Sequence, residues 1–227
     1  MLVTDNSKLF YIEDWQTTDY NEALEKQLDY VQKRQTGVMG DTIILTEHNP
    51  VYTIGRRFGG ERDLQNIESS VAAPKIPIFT TNRGGSVTYH APGQLVVYAI
   101  MDLSLKQDLD YYLHFLEQVI IEILKPLGIE GVRRSGKTGI WIDKRKVAAI
   151  GIAVRKWIVY HGFALNVDLE LSPFNKITPC GISPDEGGVT SIAQELHSTN
   201  LNHLELMDVT KRLVASVFCN TVNTYYG

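Results

Sequence analysis

Residues 82–94 read Asn-Arg-Gly-Gly-Ser-Val-Thr-Tyr-His-Ala-Pro-Gly-Gln, a run too dense in hydrogen-bonding groups for an ordinary turn. Gly84 and Gly85 allow the backbone to approach a ligand closely. Arg83 brings a charge, and Ser86, Thr88, Tyr89 and His90 bring donors and acceptors within a few residues. The run matches neither Gly-x-x-x-x-Gly-Lys-Ser/Thr nor Gly-x-Gly-x-x-Gly, so a nucleotide site of those kinds is not expected. The plain alternative is a tight hairpin with a satisfied His90. A second candidate is Cys180, set between Pro179 and Gly181, which are turn formers rather than core residues. Loops held by a rigid scaffold often carry reactive groups. A thiolate nucleophile needs a base or a nearby positive charge, and His90 and His161 are available partners. Cys219 lies in or just past an apolar helical stretch and reads as a small core residue. The two cysteines are far apart and form no zinc or redox pattern, so no metal is expected.

The elements that must position these groups follow from periodicity. Strands are expected at 8–13, 42–46, 51–54, 76–81, 95–101, 139–142, 147–154 and 158–167. Helices are expected from Thr17 or Thr18 to about Arg34, with Tyr20, Leu24, Leu28 and Val31 as the apolar stripe, and over 109–125, where Pro126 stops the chain. Asn202 and Glu205 resemble a capping box opening a last helix, with Leu206, Val209, Leu213 and Val217 on its buried face. Strands come in groups with helices interspersed, which gives an α+β (mixed α/β) domain rather than a regular doubly wound one. At 227 residues, with 44% hydrophobic and 21% charged residues, residues 1–227 are expected to form one domain, and disorder is excluded. The start lacks a signal peptide's basic and apolar regions, and no run reaches the ~20 apolar residues of a membrane helix, so no membrane contact is expected; the cysteine usage fits a reduced, cytoplasmic setting.

Charge is uneven. Residues 133–156 carry eight basic residues against Asp143 alone, a net +7, which leaves −11 on the rest of a chain whose total is −4. An acidic body argues against general nucleic-acid binding, and the basic segment allows a local site for an acidic partner. Arg133, Arg134, Lys137, Lys144, Arg155 and Lys156 offer that surface, as could Arg56, Arg57 and Arg62.

The 82–94 run resembles the signature of the lipoyl(octanoyl) transferases of the lipoate-protein ligase B type. Lys146-Val-Ala-Ala-Ile-Gly-Ile152, His161-Gly-Phe-Ala-Leu-Asn166 and Thr178-Pro-Cys-Gly-Ile182 are similar to three further segments of that family, in the same order. The resemblance spans about Thr42 to Leu196. It implies the biotin/lipoate protein ligase-like (class II synthetase-like) fold, with mixed sheets flanked by helices. It implies transfer of octanoyl from octanoyl-acyl carrier protein to a lysine of lipoyl domains, in 2-oxoacid dehydrogenase subunits and the glycine cleavage H protein. It implies Cys180 and Lys146 as the catalytic pair, with no cofactor. Substrate contacts are implied for Arg83, Gly84, Gly85, Ser86, Val87, Thr88, Tyr89 and His90, for Ala149, Ile150 and Gly151, and for Gly162, Phe163 and Ala164.

Physical chemistry is compatible with these roles. Lys144 and Arg145 beside Lys146, and the apolar strand after it, both favour a neutral amine that can take a thiol proton. Thioester exchange followed by amide formation runs downhill without ATP. Ala149 with Gly151, and Gly162 with Ala164, share a face in their strands, and coinciding faces would open a narrow apolar slot. Tight sheet packing is the plain reading of the same residues. Regular alternation puts Lys146 on the opposite face from Ala149 and Gly151, so a bulge or turn near Lys146 is expected. The rival activities are an ATP-dependent lipoate or octanoate ligase on the same fold, a non-catalytic acyl-protein binding module and a thiol hydrolase.

Overall fold

The computed structural model describes residues 2–3, 10–56, 76–177, 187–196 and 201–226. Cys180, Arg57 and Arg62, named above, lie outside the described residues. The strands are β1 (Leu2–Val3), β2 (Phe10–Thr18), β3 (Asp41–His48), β4 (Val51–Ile54), β5 (Ile78–Thr80), β6 (Val87–His90), β7 (Gln94–Asp102), β8 (Val132–Arg134), β9 (Lys137–Ile142), β10 (Arg145–Arg155) and β11 (Ile158–Asn166). The helices are α1 (Tyr20–Gln35), α2 (Leu109–Leu124), α3 (Ile192–Glu195) and α4 (His203–Tyr226). Among the described residues, eight strands form one sheet in the order β1-β2-β3-β7-β11-β10-β9-β8, and β5-β4-β6 form a second. Pairing is antiparallel except at β2–β3 and β4–β5. This mixed arrangement is the one expected from grouped strands.

The large sheet has two buried faces because side chains alternate along each strand. One face packs Val97, Val159, Phe163 and Leu165 against Leu116, Ile120 and Ile123 of α2 and Val214 and Phe218 of α4. The other packs Ile44, Tyr98, Ile100 and Tyr160 under Ala23 and Val31 of α1. The small sheet has its own cluster of Tyr52, Val87, Tyr89, Leu169 and Phe174. No helix among the described residues is long and apolar enough to cross a membrane.

The capping box holds: the Asn202 amide donates to Glu205 Oε2 at 2.9 Å, and the Glu205 amide donates to Asn202 Oδ1 at 3.1 Å. The stripe of α4 sits differently from the expected one, on Leu206, Met207, Thr210, Val214 and Phe218. α1 starts later than expected, at Tyr20, because β2 runs through Thr18 beside β3. Its buried face includes Gln27, an amide that a purely apolar pattern passes over. The basic segment does not form one surface. Arg145 and Arg155 stand at opposite ends of β10, about 33 Å apart at the usual rise per residue. Arg133 Nε pairs with Glu117 at 3.1 Å, and Arg145 pairs with Glu195 at 2.9 Å.

Candidate active site

A narrow slot opens on the α1 face of the large sheet. Its floor comes from register: Ala149 pairs with Ala164, and Gly151 with Gly162. Directly opposed residues share a face, so the two small pairs coincide. Tyr20, Arg83, Thr88, His90 and His161 border the slot. Ile150 and Gly151 also line a second, more polar cavity with Gly84, Gly85, Lys137, Thr138, Trp141 and Lys146. The two cavities therefore meet on β10.

Lys146 lines the second cavity and reaches it through a bulge. Lys146 pairs with Trp141 and Ala148 with Ile140, so one residue is inserted between them. The insertion moves Lys146 onto the face of Ala149 and Gly151, as the sequence required. Lys146 is buried. Its Nζ donates to the Thr138 carbonyl at 3.0 Å and lies 4.8 Å from the Trp141 ring centroid. Gly139 faces it across the hairpin with φ +118°. A Cβ there would meet Ala148 O at 2.5 Å and Lys146 Cε at 3.3 Å. Gly139→Ala should therefore displace the amine and lower turnover by about tenfold or more, because small misplacements of reacting groups are costly. Steady-state kinetics check this; an unchanged kcat would contradict it.

The backbone of Lys146 is also clamped. Its amide donates to Gly188 O at 3.0 Å, and its carbonyl accepts from the Thr190 amide at 3.0 Å. The Asn166 amide group donates to Thr190 O at 2.8 Å. Gln94 Nε2 donates to Asn166 Oδ1 at 2.9 Å. His90 Nδ1 lies 2.6 Å from Gln94 Oε1, and an amide oxygen only accepts, so His90 Nδ1 carries the proton. His90 Nε2 faces Thr53 Oγ1 at 3.3 Å. Arg83 donates to the same hydroxyl and, at 2.6 Å, to Thr53 O. A buried polar chain thus ties the Arg83 loop to the backbone of Lys146.

The Arg83–His90 run splits by alternation. Arg83, Thr88 and His90 face the slot, and Gly84 and Gly85 face the second cavity. Val87 and Tyr89 point instead into the small-sheet cluster, because 87–90 is strand rather than loop. Ser86 is buried and its carbonyl accepts from the Gly55 amide at 2.9 Å. Phe163 borders the slot, but its ring stacks on Phe218 on the far face. Gly162 has a structural reason as well: a Cβ there would strike Val97 O of β7.

His161 interrupts the alternation of β11 with φ +60°. A non-glycine residue in this region is strained and concentrates at functional sites. The turn sends its amide to Gln27 Oε1 at 3.1 Å and its ring towards the slot, where Nε2 donates to Asn82 Oδ1 at 2.9 Å. Asn82 in turn bonds the Tyr160 hydroxyl. Sequence reading missed Tyr20, Val96 and Tyr98, which line the slot, and His48, which bonds the Tyr98 hydroxyl behind it; except at Val96, the signal was polar and aromatic residues within otherwise apolar elements.

Three buried imidazoles surround this region. Burial, the largest cause in each, holds His48 down at about 4, His90 at about 3 and His161 at about 3. Each is neutral at physiological pH, so neither His90 nor His161 is set as a base near neutrality. A histidine held below its unfolded value of about 6.5 adds stability that is complete above that value and lost as pH falls towards 4. The urea midpoint should fall between pH 6.5 and 5, where carboxylates stay largely ionised. A flat profile there would contradict the burial of these rings. Among the described residues no group of three His, Cys, Asp or Glu side chains could hold a metal.

The mixed sheet flanked by helices is the fold of the lipoate-ligase class. An archaeal bipartite lipoate protein ligase from Thermoplasma acidophilum superimposes with a TM-score of 0.71 at 16% identity, covering 94% of this chain and 83% of that one. A biotin protein ligase from Aquifex aeolicus gives a TM-score of 0.51 at 10% identity over 94% of this chain and 72% of that one. The family model of the lipoyl protein ligase A/B catalytic domain matches residues 19–218, and the chain belongs to that family. Relatives named octanoyltransferase include one from Syntrophotalea carbinolica, 45% identical over 75% of this chain and 78% of its own length. Another, from Rubrobacter xylanophilus, is 45% identical over 79% of this chain and 80% of its own. With these relatives the chain is an acyltransferase.

Proposed function

We propose that residues 1–227 form one cytoplasmic catalytic domain that moves octanoyl from octanoyl-acyl carrier protein to a lysine of a lipoyl domain through a Cys180 thioester. The observation that carries this reading is the buried Lys146 amine in a polar cavity that shares Ile150 and Gly151 with an apolar slot. The slot suits the acyl chain. The second cavity suits first the donor's thiol arm and then the acceptor's lysine.

The Cys180 sulfur attacks the thioester carbonyl and Lys146 takes its proton. The carrier thiol leaves with that proton. The acceptor amine then attacks the Cys180 thioester, and the proton it gives up passes through Lys146 to the departing Cys180 sulfur. A thioester becomes an amide, so no nucleotide is consumed. The neutral His90 and His161 hydrogen-bond and shape the slot rather than move protons. Lys137 at the second cavity and Arg56, whose amide donates to Arg83 O at 3.0 Å, suit an acidic carrier protein near the entrance.

The test is transfer without nucleotide. The protein, octanoyl-acyl carrier protein and a lipoyl domain should together give amide-linked octanoyl on the domain's lysine. Loading only from free octanoate with ATP would refute this reading and favour the ligase.

A further inference from the structure

Side-chain size across the slot floor rises in one direction. On the α1 face one row runs Ala149, Ala164, Val96 and the next runs Gly151, Gly162, Tyr98, crossing β10, β11 and β7 in turn. The floor is hydrogen or methyl on two strands and then isopropyl or phenol on the third. Lys146 marks the reactive end on β10. A chain laid across the strands from the Ala149–Gly151 stretch of β10 passes two gaps of ~4.8 Å, about 9.6 Å in all, before it meets the β7 side chains. An extended eight-carbon acyl group has seven C–C bonds of ~1.5 Å that each advance ~1.25 Å, about 9 Å in all.

The wall behind that point is closed. Tyr98 Oη lies 2.5 Å from His48 Nε2, and His48 Nδ1 donates to Thr18 O at 2.7 Å, so the phenol is fixed. Tyr20 packs edge-on against His48 at 5.4 Å and stacks on His90 at 6.0 Å. Val96, Tyr98, His48 and Tyr20 are all buried.

We propose that Val96 and Tyr98 on β7 are the end stop that limits the acyl group to about eight carbons. The proposal rests on the slot being the acyl site. It assigns chain-length specificity to two residues that lie in none of the four signature segments.

The test compares kcat/KM for hexanoyl-, octanoyl-, decanoyl- and dodecanoyl-acyl carrier protein. Val96→Ala removes the stop at the end of one row and should raise the decanoyl-to-octanoyl ratio by about tenfold or more, the usual size of a methylene-scale discrimination. Ala164→Val moves the stop one strand nearer the reactive end and should raise the hexanoyl-to-octanoyl ratio by a similar factor. The two shifts are opposite, and each is a ratio that a general loss of activity leaves unchanged. Folded, active variants with wild-type ratios would overturn the end stop alone. A wild-type enzyme inert towards all four donors would overturn the slot assignment and the end stop with it.

Discussion

Lys146→Ala should lower octanoyl transfer by about 10²–10⁴-fold, the range that one positioned acid–base group contributes. The loss should fall on kcat, because the slot proposed for the acyl chain keeps its lining. Lys146→Arg separates two roles. Arginine keeps the positive charge but cannot give up its proton in a protein. If the amine acts as a base, the arginine variant loses as much as the alanine variant. If it serves only as a fixed charge, arginine retains most of the activity. Removing the side chain also removes its hydrogen bond to the carbonyl of Thr138, an exposed residue, a loss of about 1 kcal/mol. Thermal melts should therefore accompany the kinetics, and a folded variant with wild-type turnover would contradict the role.

Cys180→Ala should reduce transfer by on the order of 10⁴-fold or more, because a covalent route has no substitute for its nucleophile. Cys219→Ala is the internal control. Cys219 lies in α4, partly buried, and burial pushes its thiol up, which makes it a poor nucleophile. Its variant should keep wild-type turnover. The opposite pattern, with Cys219 essential and Cys180 dispensable, would move the chemistry to another part of the molecule.

Most elements were legible because their periodicity is strong. β4 and the start of α2 fall where the pattern puts them. An interruption near Lys146, which the structure makes a bulge, was legible from parity alone, since a lysine and two small residues of opposite parity can share a face only if the strand is interrupted. The rest was hidden for physical reasons. The contiguous run 83–90 looks like one loop, but four of its residues become a strand by pairing with β4, and alternation then sends Val87 and Tyr89 away from the slot. The basic segment looks like one patch, but a strand of 11 residues separates its two ends. Gln27 and His161 show the limit most clearly. The positive φ of His161 is possible because an amide 134 residues earlier receives the backbone N–H that the strand turns away. No local pattern carries such a pairing.

The most direct measurement is the intact mass of the protein after mixing with octanoyl-acyl carrier protein, beside Cys180→Ala and Cys219→Ala. The account predicts a gain of one octanoyl group that survives Cys219→Ala, vanishes with Cys180→Ala and discharges when a lipoyl domain is added. Transfer to the domain without any acyl-enzyme, or an adduct that persists in Cys180→Ala, would contradict it.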